Sequence, residues 1–220
     1  MHYLDIHTHY VTQKKEVYSI QSLTLTDKLF LAIPKRVPIS VGLHPWFAKI
    51  NEFEMHLQYL TVIAAQKNVK LIGECGLDKL RGENIEVQMV ILTQQILLAE
   101  RLGKPLILHC VKSFSELIAL KDKLKVKVPM IIHGFNKNEK LGEQLLAKGF
   151  FFSIGEAVLK TESGAAKLVQ KTDRFFLETD TSRVPIERIY EHVANLKNCK
   201  IEDLKARIFE DWKKLIDVNV

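Results

Sequence analysis

The sequence predicts an α/β fold, a TIM-type (β/α)8 barrel formed by a single domain over 1–220. Three observations lead there. Eight short apolar runs recur along the 220 residues, about 27 residues per unit, and such barrels begin near ~200 residues. The runs are apolar on both faces, as strands of a parallel sheet covered by helices must be. Between them lie stretches of helical period. An open doubly wound sheet is the structural alternative, but no G-x-G-x-x-G or P-loop pattern follows any run.

The runs fall at 3–6, 17–25, 39–43, 69–72, 106–108, 130–132, 150–154 and 174–177. The stretch 52–67 carries Phe53, Leu57, Leu60 and Ile63 on one stripe, and 85–102 carries Met89, Leu92, Ile96 and Ala99. The stretches 114–124, 139–148, 186–196 and 202–215 behave likewise. Gly103 and Gly149 stand just past helical stretches, where a left-handed C-cap is wanted. Trp212 fits the apolar stripe of the last helix, with Ile208, Leu215 and Ile216. The stretch 10–38 is the least regular, so the first helix of the barrel is expected to be reduced or missing.

Composition narrows the class. Hydrophobic residues at 47% and charged residues at 26% suit a globular chain and exclude a disordered one. Three cysteines, Cys75, Cys110 and Cys199, are too few for a disulfide scaffold and read as free thiols of a reducing compartment. No signal peptide and no apolar run of membrane-spanning length is visible, so the expectation is a cytoplasmic protein without a membrane. The net charge of +6 permits acidic substrates or nucleic acid without requiring either. The lysines at 121, 123, 125 and 127 read as a solvated face, since no aromatic residues interleave them for stacking on bases.

The polar residues fall at strand ends. His7 and His9 close the first run two residues apart, on one strand face. Glu74 closes 70–74, His109 closes 105–109, His133 closes 130–133 and Asp180 closes 175–180. Barrel active sites lie at the C-terminal ends of strands. One histidine so placed is usually a hydrogen-bonded packing residue. Four imidazoles and two carboxylates in equivalent positions would repel or go unpaired without a cation. Imidazole with carboxylate suits Zn, Mn, Fe or Ni better than an all-oxygen Mg or Ca cage.

The motifs Asp5-Ile6-His7-Thr8-His9, Gly42-Leu43-His44-Pro45, Gly73-Glu74-Cys75-Gly76-Leu77-Asp78, the strand-end His109 and His133, and Glu178-Thr179-Asp180 resemble the TatD family of metal-dependent hydrolases. They span almost the whole chain in the expected order. The resemblance implies two divalent metal ions (Zn, Mn or Mg). One would be held by His7, His9, Glu74 and Asp180, the other by Glu74, His109 and His133, with Glu74 as bridge. It implies catalytic roles for Glu74 and Asp180: the cations would bring a shared water's pKa from ~15.7 towards ~7, and Asp180 would take its proton. His44, Lys112 and Asp78 are the expected substrate contacts, and Asp78 could equally orient a ligand. Trp46 would line the pocket or anchor a loop, and Cys75 and Cys110 are read as packing residues.

The expected activity is that of a phosphodiesterase or deoxyribonuclease, exonuclease-like, with nucleic acid as substrate. A metal-dependent amide, ester or lactone hydrolase on the same barrel is the alternative, and a non-catalytic nucleic-acid-binding protein is the other. No obligatory protein partner is evident, and a monomer is expected. Three departures stand out. The chain is short for the family. Thr181-Ser182-Arg183-Val184-Pro185 leads straight into a helical pattern where the family has a longer rim loop. Lys112 stands where the family commonly has arginine, a point charge in place of a bidentate fork.

Overall fold

The computed structural model describes residues 1–11, 14–25 and 33–216. Eight strands follow: β1 (Tyr3–Thr8), β2 (Val17–Thr24), β3 (Ile39–Gly42), β4 (Val69–Asp78), β5 (Leu106–Val111), β6 (Met130–Ile132), β7 (Phe151–Ile154) and β8 (Phe175–Leu177). They take chain order in one eight-stranded sheet. The pairs β1–β2, β3–β4, β4–β5, β6–β7 and β7–β8 are parallel. The helices of the described residues are α1 (Phe53–Ala64), α2 (Ile85–Leu102), α3 (Phe114–Leu124), α4 (Glu139–Ala147), α5 (Gly164–Lys171), α6 (Ile186–Leu196) and α7 (Ile201–Ile216). The expectation of a reduced first helix bears on 10–38, of which 12–13 and 26–32 lie outside the described residues. The chain divides into two compact units, Met1–Gln21 with Ile131–Val220, and Ser22–Met130.

The first unit joins the two ends of the chain. Its core holds Leu4, Ile6, Phe152, Phe175, Phe176, Tyr190 and Trp212, all nearly or fully buried. Each such side chain contributes about 1.5–3 kcal/mol by leaving water. The Tyr190 hydroxyl donates to Leu4 O at 3.0 Å and accepts from Leu4 N at 3.1 Å, which ties α6 to β1. Trp212 of α7 meets Phe176 edge-on at 6.3 Å, as its apolar stripe predicts. Beyond β8 the backbone returns to β1: Asp180 N donates to His7 O at 2.9 Å, and His9 N donates to Asp180 O at 3.0 Å. Helix α5 was not evident in the sequence pattern. It is eight residues long and buries Ala165, Ala166, Leu168 and Val169, while Ser163 Oγ caps it by accepting from Ala166 N at 3.0 Å. Its buried face is regular, but eight residues are too short a window to separate a helix from a loop by period.

In the second unit β4 runs six residues beyond its apolar run, to Asp78. Gly76 makes this possible. Its φ is +144°, and a Cβ there would lie 1.9 Å from His109 O, so only glycine lets β4 approach β5 at this point. Helix α2 begins at Asn84, whose Oδ1 accepts from Val87 N at 2.9 Å, and ends at the left-handed Gly103. Gly149 is left-handed too, one residue past the cap of α4. The buried stripe of α2 includes two glutamines. Gln95 accepts from Leu43 N at 2.8 Å and donates to Leu43 O at 3.1 Å. Gln88 accepts from Asp78 N at 2.7 Å and donates to Asp78 O at 2.9 Å. These amides satisfy backbone groups at the ends of β3 and β4.

Candidate metal centre

In the second unit the cluster forms around Glu74. This residue is buried in β4, and its Oε1 lies 2.9 Å from His44 Nε2 and 3.0 Å from His109 Nδ1. His109 sits in β5 and His44 two residues past β3, where Gln95 holds Leu43. A backbone hydrogen bond assigns the tautomer of His44. His44 Nδ1 accepts from Trp46 N at 3.1 Å, so in the neutral ring the proton is on Nε2, facing Glu74. Asp78 Oδ2 accepts from Trp46 Nε1 at 2.6 Å and lies 3.0 Å from His109 Nε2. With the His109 Nε2–H hydrogen-bonded to Asp78, the Nδ1 lone pair is the one turned towards Glu74. A carboxylate and a neutral imidazole cannot share two lone pairs across 3.0 Å without a proton or a cation. Glu74 Oε1 and His109 Nδ1 so offer a carboxylate oxygen and an imidazole nitrogen 3.0 Å apart, a pair that fits a cation, while His44 Nε2–H bonds to Glu74. Burial pushes the Asp78 carboxyl up, but the hydrogen bonds from Trp46 and His109 outweigh it and hold the group below its ordinary value.

In the first unit the cluster joins His7, His9, His133 and Asp180. His7 is fully buried in β1 and His133 follows β6 directly, with their rings 4.7 Å apart. Asp180 lies three residues past β8 in a left-handed conformation, φ +51°. Its Oδ1 is 3.5 Å from His9 Nε2 and 3.7 Å from His7 Nε2. Donor atoms of His7, His133 and Asp180 fall within 4.8 Å of one another, which again fits a cation. Two buried carboxylates frame this cluster. Asp5 accepts from Thr179 N at 3.0 Å and Thr179 Oγ1 at 2.7 Å. Burial pushes its carboxyl up to about 7 against those bonds. Glu178 Oε1 accepts from Gly134 N at 2.7 Å and lies 3.7 Å from His133 Nδ1. Burial pushes Glu178 up, and His133 and His7 together outweigh it, so its carboxyl lies below the usual range. A cavity of about 230 Å³ opens beside Asp180, lined by Gly134, Glu156, Glu178 and Ser182 among others.

The family model for TatD related DNase matches residues 5–217. The chain belongs to the TatD family. A relative from Methanocaldococcus jannaschii, described as an uncharacterized metal-dependent hydrolase, is 25% identical over 189 residues, 80% of this chain and 74% of that one. A 3′-5′ ssDNA/RNA exonuclease TatD from Cronobacter turicensis is 31% identical over 147 residues, 64% of this chain and 56% of that one. The crystal structure of YjjV, a TatD homolog from Escherichia coli K12, superposes with a TM-score of 0.81 at 20% identity, over 99% of this chain and 98% of that one. This TatD-family chain is thus a metal-dependent hydrolase, and its fold is the TIM-type (β/α)8 barrel that the sequence predicts. Among its described residues no helix is long and apolar enough to cross a membrane.

The family motifs hold more chemistry than their strand-end residues show. His44, expected against substrate, lies on Glu74. Asp78 orients His109, as a carboxylate behind a ligating imidazole does. Lys112 is exposed just past β5 in a left-handed turn. Cys75 and Cys110 are buried, and burial pushes the Cys75 thiol up, which suits packing. Sequence reasoning missed Glu178, Gln88 and Gln95. Glu178 was legible as a carboxylate ending an apolar run. The glutamines were legible as two polar residues seven apart on an otherwise apolar stripe.

Proposed function

We propose that this TatD-family hydrolase is a phosphodiesterase acting on single-stranded nucleic acid as an exonuclease, with two divalent cations. The observation that carries the reading is the Asp78–His109–Glu74 chain. It presents a lone pair and a carboxylate to one point, and it backs the imidazole with a second carboxylate. His109 through Nδ1 and Glu74 would hold one cation, with His44 bonded to Glu74. His7, His133 and Asp180, with His9 beside them, would hold the other. The candidate ions are Zn, Mn and Mg.

Bound cations supply acidification of a water and neutralisation of charge on the phosphoryl oxygens. The remaining work belongs to the chain. Asp180 is a third exposed, so it can reach a water that the buried His7 cannot. Its carboxylate accepts the water's proton as the oxygen attacks phosphorus and the P–O3′ bond breaks. The same carboxyl then returns the proton to the leaving oxygen. His9, equally open and 3.5 Å from Asp180 Oδ1, orients that carboxylate.

The test is cleavage of end-labelled single-stranded DNA by metal-stripped protein, with and without restored Mn or Mg. The expected result is metal-dependent, stepwise shortening from one end. Turnover of lactones or amides with no attack on oligonucleotides would refute the substrate assignment.

A further inference from the structure

We infer that Phe47 and Arg81 form a nucleotide subsite beside the Glu74 cluster, in which the Phe47 ring stacks on a base and the Arg81 guanidinium takes the adjoining phosphate. The inference rests on the nuclease reading above and names residues that would read its substrate.

Phe47 is 51% exposed, the only phenylalanine of the described residues in the exposed class. It is not loosely held. Its N–H donates to His44 O at 3.0 Å, and its ring lies 5.5 Å from the His44 ring. An exposed aromatic face therefore stands one residue-width from the imidazole that touches Glu74. Trp46 beside it is fixed by the Asp78 hydrogen bond and serves as a floor for Arg81, whose guanidinium lies 4.1 Å from the indole centroid. A guanidinium stacked in this way keeps its N–H groups turned outward for a phosphate.

The loop that carries Arg81 is anchored. A Cβ on Gly82, at φ +94°, would lie 2.1 Å from Pro45 O, so the loop packs directly against the His44-Pro45-Trp46 segment. The acidic residue of that loop, Glu83, is paired with Lys49 at 3.7 Å. Lys79 at its start is paired with Glu116. Among the described residues Arg81 makes no ion pair with a carboxylate, so it is the charge of this loop left for a ligand. An apolar partner surface would suit Phe47 but not the guanidinium. A nucleotide suits both, because every base has a face to stack and a phosphate to pair.

The test is the affinity of the metal-loaded protein for a short oligothymidylate with cleavage-resistant phosphorothioate linkages, and for the same strand with abasic residues, read by fluorescence anisotropy. Stacking on one base is worth about a 5- to 150-fold change in affinity. Phe47→Ala should therefore lower the ratio of base-containing to abasic affinity by about that factor. Arg81→Gln should weaken both strands together and reduce the salt slope by about 0.7. An unchanged affinity ratio in Phe47→Ala would overturn the subsite, as would an equal loss on both strands, which would mean that Phe47 only supports His44. A wild-type protein that cleaves DNA with either of those results refutes the subsite alone. A wild-type protein that neither binds nor cleaves the strand refutes the nuclease reading, and the subsite with it.

Discussion

Replacing Asp78 by Asn should weaken metal binding about 10- to 100-fold while leaving the fold standing. The carboxylate works with both oxygens. Oδ2 takes Trp46 Nε1 at 2.6 Å and faces His109 Nε2 at 3.0 Å, and Oδ1 accepts from Leu80 N at 2.8 Å. An asparagine amide cannot reproduce this. With its oxygen towards Trp46 and His109, its NH2 opposes the Leu80 N–H. Flipped, its NH2 opposes two donors. The cheaper orientation loses one hydrogen bond to a charged group, about 1.5–3 kcal/mol of stability. It also removes the negative charge behind His109, which lowers the basicity of Nδ1. Competition with a chelating dye measures the affinity, and urea unfolding of the metal-free protein measures the stability. The pH dependence has a definite sign. The Asp78 carboxyl lies below its ordinary 3.8 in the folded state, so its contribution is present above that value and is lost as pH falls through the lower folded one. The stability gap between wild type and Asp78→Asn should therefore hold at pH 7 and close in strong acid. An Asp78→Asn protein with wild-type metal affinity would refute the tautomer assignment on which the site is built.

Glu74→Ala should lose the metal held with His109, and cleavage with it; elemental analysis after gel filtration reads the first and the labelled-DNA assay the second. Gln95→Leu removes both partners of the buried Leu43 backbone groups and should cost about 2–6 kcal/mol at about 1–3 per group, seen as a lower urea midpoint. Lys104 donates to the carbonyls of Ala64 and Gln66, and burial, with the Lys70 charge adding to it, brings its ammonium down to about 8. Its unfolded form binds more protons between about 8 and the ordinary 10.5, so wild type should gain stability relative to Lys104→Met as pH rises through that window. A flat difference across the window would show that Lys104 titrates normally.

The strand-end residues were legible because side chains alternate along a strand and a polar residue closing an apolar run has few places to point. His7, His9, Glu74, His109, His133 and Asp180 all follow from that one rule, and the structure brings each into a cluster. Which of them meet is decided by contacts far apart in sequence. The sequence could not show that His44 Nδ1 accepts from Trp46 N, a local bond that turns His44 Nε2 towards Glu74. Helix α5 escaped because it is only eight residues long, and the long β4 because its extension depends on Gly76 meeting His109 rather than on apolar residues. Gln88 and Gln95 look like breaks in a stripe until the strand ends they satisfy are seen.

Anomalous diffraction from crystals loaded with Mn or Zn tests the central claim most directly. One peak is expected against His109 Nδ1 and Glu74, and one against His7, His133 and Asp180, with Asp78 behind His109 Nε2. A peak on His109 Nε2, or loaded crystals with no peak at Glu74, would contradict it.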